Sequence, residues 1–346
     1  MRFPWAQAAA ATVARPVSFR PRDVRPYWNA VEQSRSRTLE QELARALRTG
    51  PFSAVLHLAI EASGLTLDEV RTRLVGQGAN VSMATLSYWR RGRSRPERPE
   101  SLRVVHALEK ILDLPADGLI SQLGPKRPRG RWLARPVGSM DPTAAYGGSP
   151  GLGELLDEVG TPVHNGMVRL AVHDLYLVGA AREELSVSTR LVVRSHVDRV
   201  SRLPVMYRQY EPDGRPPPVV RAVRGCRVGR LRSDPDSGFL VGEVVLDRVL
   251  GVGETAVVEW EATGVSRPGV DTDFYHRVFP AHVGEYVLQV QFSPEAFPAR
   301  CSSYTRRTET APDRTSQEVW VGTTGLAHVV TLDVQPGVVG LRWEWA

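Results

Sequence analysis

Arginines dominate the residues whose types and spacing could do chemistry. Arg90, Arg91, Arg93 and Arg95 follow one another over six positions, and Arg98 extends the run. Guanidinium groups in such density suit phosphate oxygens, which they meet with paired N–H donors while displacing condensed counterions. Just before them, Ser82, Met83, Ala84, Ser87 and Tyr88 form a short mixed surface. If that stretch is a helix beginning at Ser82, then Leu86 and Trp89 turn inward and Met83, Ala84, Ser87 and Tyr88 turn outward. That is how a recognition helix meets base edges. A second basic group, Lys126 to Arg131, carries Arg129 and Arg131 on either side of Gly130. It reads either as a minor-groove arm or as a solvated basic connector.

Other candidates carry less. Gly147, Gly148, Ser149, Pro150 and Gly151 have the spacing of a hydrolase nucleophile elbow, but that motif needs a strand before the Ser and a helix after it, and this stretch reads as a Gly/Pro connector. The eight histidines are dispersed, and two cysteines, Cys226 and Cys301, do not make a four-ligand zinc site. No metal, cofactor or catalytic residue is therefore expected. The cysteines read as reduced, buried thiols. Asp271 with Asp273, and Glu259 with Glu261, read as same-face pairs on strands, either solvated or lining a sensory pocket.

The elements that must position these groups fall into two parts of opposite charge. Up to Arg135 there are 23 Lys and Arg against 12 Asp and Glu, and beyond it 21 against 26. A basic first part and a mildly acidic second part suggest that the first meets a polyanion. Residues 1–37 show no sustained period and are expected to be disordered or loosely docked. A helical run then extends over residues 38–124. Val55, Leu56, Leu58, Ala59 and Ala62 recur at steps of three and four, and Gly64 closes that helix. Thr66 and Glu69 form a capping box over a helix with Leu67, Val70 and Leu74 inside. After a connector of residues 75–80 comes the helix of residues 83–91, stopped by Gly92 and Pro96. A fourth helix over residues 101–112 buries Leu102, Val105, Leu108, Ile111 and Leu112, and a fifth covers residues 117–123.

Residues 125–150 have a linker composition. From there the period changes from 3.6 to 2, and eight or more short strands separated by Pro and Gly predict an all-β sandwich or barrel over residues 151–346. The fold class expected is thus α+β in two domains, an all-α bundle followed by a β-sandwich. No apolar run approaches the length needed to cross a bilayer, so a cytoplasmic protein without membrane contact is expected.

Val81, Ser82, Thr85, Leu86, Ser87, Trp89 and Gly92, with Arg93, Arg95 and Pro96 following, resemble the second motif helix of the lambda repressor/Cro-like (XRE) helix-turn-helix family. The resemblance spans about residues 51–124. The joint between the two motif helices is about five residues longer than that family's tight turn, and Leu67 or Asp68 stands where the family usually has Gln. The resemblance implies a double-stranded DNA partner, reading of bases by the helix from Ser82, and a homodimer. Pro128, Arg129, Gly130 and Arg131 similarly resemble an AT-hook, with Trp132 in place of its closing Pro. Together these imply a sequence-specific transcriptional regulator, not an enzyme, whose β-domain senses a small-molecule or protein effector or mediates assembly. The alternative is a scaffold in which the β-sandwich makes the main interaction and the helical part tethers it.

Overall fold

A computed structural model describes residues 27–125, 138–149, 151–161, 163, 166–210, 216–264 and 270–345, with side chains from residue 36. The architecture is α+β, with helices gathered toward the N-terminus and strands filling the C-terminal part.

The helical part begins with α1 (Tyr27–Thr49), α2 (Phe52–Ser63), α3 (Leu67–Gly76), α4 (Met83–Arg90) and α5 (Pro99–Ile111). It closes with a 3-10 turn, Ile120–Gln122. Of the residues expected to face inward, Val55, Leu56, Val70, Leu74, Leu86, Val105 and Leu108 are fully enclosed in one core and Leu58, Leu67, Leu102 and Ile111 pack partly buried against it, whereas Ala62, at the end of α2, is exposed. Both starts expected of α3 and α4 are present. The Thr66 hydroxyl accepts from the Glu69 amide while the Glu69 carboxylate accepts from Thr66 N–H at 2.8 Å. Ser82 Oγ accepts from the Thr85 amide at 3.1 Å. Each satisfies amides that a helix start otherwise leaves without partners.

Three boundaries differ from expectation. Helix α1 starts at Tyr27, not Thr38, so the loosely docked segment expected over residues 1–37 is helical from Tyr27. Leu43, Ala46 and Leu47 on its last turns join the core, which supplies a reason to fold that polar composition hides. The fifth helix is a single 3-10 turn. Its amides are held by the buried carboxylate of Glu109, which accepts from Leu119 N–H at 2.8 Å and Ile120 N–H at 3.0 Å. The connector of residues 125–150 is not linker throughout. Its last part contains α6 (Pro142–Ala145), capped by Asp141, and is followed by α7 (Leu152–Val159). Ala145, Tyr146, Leu152, Leu155 and Val159 pack against Phe239, Val241, Val278, Tyr304 and Val338, so this segment belongs to the β part.

Thirteen strands are present among the described residues, in three sheets. The largest has six strands, drawn from β1 (Met167–Val178), β2 (Glu184–Ser195), β4 (Val219–Arg224), β7 (Thr255–Thr263), β9 (Val283–Phe292) and β12 (Leu326–Val334). Their order is β12-β9-β1-β2-β7-β4, antiparallel except for the β1–β9 pair. A four-stranded sheet contains β8 (Phe274–Phe279), β10 (Pro298–Arg306), β11 (Asp313–Glu318) and β13 (Gly337–Trp345), ordered β11-β10-β13-β8. The third has β3 (Val200–Arg208), β5 (Cys226–Asp234) and β6 (Phe239–Leu250), ordered β3-β6-β5. One face of the six-stranded sheet supplies Val172, Tyr176, Leu191, Val258, Tyr286 and Leu288 to a core shared with Leu203 and Val244 of the third sheet and Leu341 and Trp343 of the second. Removing that much apolar surface from water is the main stabilising term of this part.

The helical and β parts touch along the 3-10 turn. Ser201 Oγ donates to Ser121 O at 2.9 Å, and Arg202 Nη2 donates to Gln122 Oε1 at 2.7 Å. Helix α1 lies beside β5.

Candidate nucleic-acid interface and ligand cavity

Helix α4 is held from behind. Leu86 and Trp89 are buried, and the Trp89 ring meets Phe52 of α2 edge-on at 6.4 Å. Gly92, at φ 71°, turns the chain out of the helix where a Cβ would also come within 3.1 Å of Ser53 Oγ. The opposite face is open. Tyr88 is 46% exposed and Met83 38% exposed, Ser82 and Ala84 are exposed, and Ser87 is half-buried. The structure therefore brings Met83, Ala84, Ser87 and Tyr88 together on one capped helix.

Arg91 and Arg93 lie exposed at the end of that helix, and Arg90 is half-buried. None of the three meets a carboxylate among the described residues. Arg95 is placed differently from the rest of the run. Its guanidinium donates to the Leu123 carbonyl, so part of its hydrogen-bonding capacity ties the loop after α4 to the end of the bundle. The joint between α3 and α4 runs over residues 77–82, with Gly78 at φ 72° and Ala79 N–H bonded to Leu74 O at 2.9 Å. Arg129 and Arg131 lie outside the described residues.

Inside the β part, buried carboxylates are paired with arginines. Asp174 of β1 takes a two-pronged bond from Arg277 of β8, Nε to Oδ2 at 2.6 Å and Nη2 to Oδ1 at 2.8 Å. It also accepts from Thr189, Tyr275 and Tyr286. Burial pushes the Tyr275 and Tyr286 hydroxyls well above their ordinary range, and Asp174 adds to it, so they stay protonated donors. Burial disfavours charge on Arg277, but Asp174 outweighs it and holds the guanidinium charged. Glu243 of β6 is met by Arg202, Arg230 and Thr161. Glu309 is met by Arg208, by Tyr210 at 2.8 Å and by His276. Burial acts to raise both glutamates, and these partners nevertheless hold them below the ordinary carboxylate value. His276 is also bonded through Nδ1 to Tyr304 and through Nε2 to Tyr210, each at 2.8 Å.

Two cavities open beside these clusters. The larger, about 160 Å³, is walled by Tyr176, Tyr207, Tyr210, Phe274 and Tyr275, with Arg208 and Arg277 among the polar groups. The smaller, about 50 Å³, is walled by Arg169, Thr189, Trp260 and Phe279. Tyr146, Met206, Tyr207, Arg277 and Val278 line both. Asp271 and Asp273 lie at the larger cavity, in the chain leading into β8 rather than on a strand as expected. Glu259 and Glu261 do share a face of β7, where they pair with Arg190, Arg224 and Arg221.

The remaining candidates have structural explanations. Ser149 Oγ donates to Tyr146 O at 3.0 Å and follows helix α6, not a strand. His106, Glu109 and Asp117 bring ligand atoms within 4.8 Å of one another, but Glu109 already caps the 3-10 turn and Asp117 accepts from Val249 N–H. Burial pushes the Cys226 and Cys301 thiols up to about 11, which keeps them protonated near neutrality.

No family model and no curated protein matches the chain. Among solved structures, a "putative protease" from Parabacteroides distasonis aligns at 12% identity with a TM-score of 0.28, over 51% of this chain and 40% of that one. The alignment therefore spans less than half of that protein's length. No described helix is long and apolar enough to cross a membrane.

Proposed function

We propose that the chain is a sequence-specific DNA-binding transcriptional regulator of the lambda repressor/Cro-like kind, in which α3 and α4 form a helix-turn-helix and the β part, read as a sandwich, senses an effector. The carrying observation is the open face of α4. A helix anchored by Leu86 and Trp89 presents Met83, Ala84, Ser87 and Tyr88 outward, and partnerless arginines follow at its end. An exposed tyrosine and methionine beside uncompensated cations favour a partner that offers both base edges and phosphates. In this reading Ser82, Arg90, Arg91 and Arg93 hold phosphates, with a smaller share for Arg95. Two copies would read two half-sites about one helical turn apart. The protein would act in the cytoplasm, at the nucleoid.

The β part is suited to sensing because β3 spans both regions. Ser201 and Arg202 at its start contact the 3-10 turn of the helical part, and Met206, Tyr207 and Arg208 at its end line the cavities. A ligand that shifts β3 has a physical contact through which to shift the helices. A scaffold reading draws on one observation, the exposure of Leu332 (68%) and Val330 (53%) on the outer face of the six-stranded sheet.

Fluorescence anisotropy of the full chain on a duplex enriched from a random pool tests the proposal. Retention of the enriched duplex at least tenfold tighter than a scrambled one is the expected result, and equal retention of both contradicts it. The scaffold reading instead predicts self-association or protein capture that Leu332→Lys abolishes.

A further inference from the structure

Three arginines that reach the interior of the β part each meet a carboxylate: Arg277 meets Asp174, Arg202 meets Glu243 and Arg208 meets Glu309. Arg169 does not. It pairs in register with Val193 and Val283, both fully buried, and a bulge after it keeps its half-buried side chain on the inward face of β1 at the smaller cavity. Among the described residues no carboxylate or other acceptor meets its guanidinium, and the charge it feels there is the like charge of Arg277. Burial, with Arg277 adding to it, pushes Arg169 down to about 10, which still leaves it cationic near neutral pH.

One more donor lines the same space without an acceptor among the described residues. Tyr146 is only 8% exposed, lines both cavities, and has no partner for its hydroxyl. Donors that line a cavity without a protein acceptor are open to the acceptors of a ligand. Arg169 and the Tyr146 hydroxyl thus give the smaller cavity a cation and a donor, while Glu184, Asp271 and Asp273 line only the larger one, so a ligand group that completes the smaller cavity brings acceptors and a negative charge.

We propose that the paired cavities bind a small organic carboxylate, its anionic group on Arg169 and Tyr146 in the smaller cavity and its body against the aromatic walls of the larger. The smaller cavity has room for only a few water-sized groups, which suits a carboxylate. Asp174 already neutralises Arg277, so a doubly charged phosphate would exceed the available positive charge. Tyr210, Phe274 and Tyr275 offer ring faces and edges to a planar or apolar body. The ligand's role as effector rests on the regulator reading; the binding chemistry rests on the cavities alone.

Benzoate is the probe, with benzamide, benzylamine and inorganic phosphate as its neutral, cationic and non-aromatic counterparts. Titration calorimetry and thermal unfolding of the full chain are the measurements, and no DNA enters either, so their outcome is separate from that of the DNA test. Benzoate is expected to bind saturably, raise Tm, and bind at least ~10-fold tighter than the other three. Arg169→Met should raise Tm in protein without added benzoate, because it removes an uncompensated cation, and should weaken benzoate at least ~10-fold. Tyr146→Phe should leave Tm unchanged and weaken benzoate several-fold, an independent reading should the first variant fail to fold. Absence of saturable heat at about 1 mM benzoate, equal binding of benzoate and benzamide, or undiminished binding by both variants would overturn the assignment.

Discussion

Charge is handled in opposite ways in the two halves of the molecule. In the β interior, Asp174, Glu243 and Glu309 are each met by an arginine and by at least one hydroxyl donor. On α4 and the turn beyond it, Arg91 and Arg93 face solvent and meet no carboxylate among the described residues. A buried ion is tolerated only when its partners replace the water it has lost, whereas an exposed arginine keeps its water until a partner takes its place. The interior pairs therefore tie packed elements together, and the outer cations remain open to solvent. Arg169 is the exception: half-buried at a cavity wall, yet without a carboxylate among the described residues.

The largest effect should come from breaking an interior pair. Asp174→Asn leaves Arg277 without its counter-charge and weakens the acceptor for Thr189, Tyr275 and Tyr286. Breaking one side of a buried pair typically costs about 3–5 kcal/mol. Urea unfolding should show a midpoint lowered accordingly, and a change within error would mean that this network is not buried as described.

A pH titration of stability sharpens the same contrast. Glu309 and Glu243 sit below the ordinary carboxylate value of 4.5 in the folded chain. A group depressed in this way contributes its stability above the unfolded value, and that contribution is lost as pH falls through the folded one. Tm should therefore be flat near neutrality and fall below about pH 4.5, the unfolded reference, with Glu309→Gln showing a shallower decline. An equal decline in the variant would remove Glu309 from the account.

Much of this contrast was legible in the sequence on the helical side and little of it on the β side. Spacing of three and four placed Leu86 and Trp89 inside, and the Thr66 and Ser82 caps are local signals that need no tertiary information. Asp174 and Arg277 stand 103 positions apart, so nothing local announces their pairing. Strand β11, Asp313–Glu318, is polar and exposed along its whole length at a sheet edge, and so lacks the alternation by which strands are recognised. Helix α7 had an apolar period in Leu152, Leu155 and Val159, hidden by the glycines around it. Arg169 and Tyr146 carry no local signal at all, since what singles them out is the partner each lacks once the sheets close.

A smaller effect is expected at the start of α4. Ser82→Ala removes the acceptor for Thr85 N–H and should cost about 1 kcal/mol, the usual worth of such a cap. It should also weaken DNA binding by fraying the first turn. A loss of binding with no loss of stability would instead make the Ser82 hydroxyl a direct contact.

Selection of binding sites from a random duplex pool, run in parallel on the unaltered chain, Tyr88→Ala and Arg93→Ala, tests the central claim most directly. The unaltered chain should enrich one motif. Tyr88→Ala should lose preference at one position of it, by about 1–3 kcal/mol. Arg93→Ala should keep the motif, bind all sequences more weakly, and lower the salt slope by about one unit. An unchanged motif with Tyr88→Ala together with altered base preference for Arg93→Ala, or no enrichment by the unaltered chain, would contradict the assignment of α4 as the reading helix.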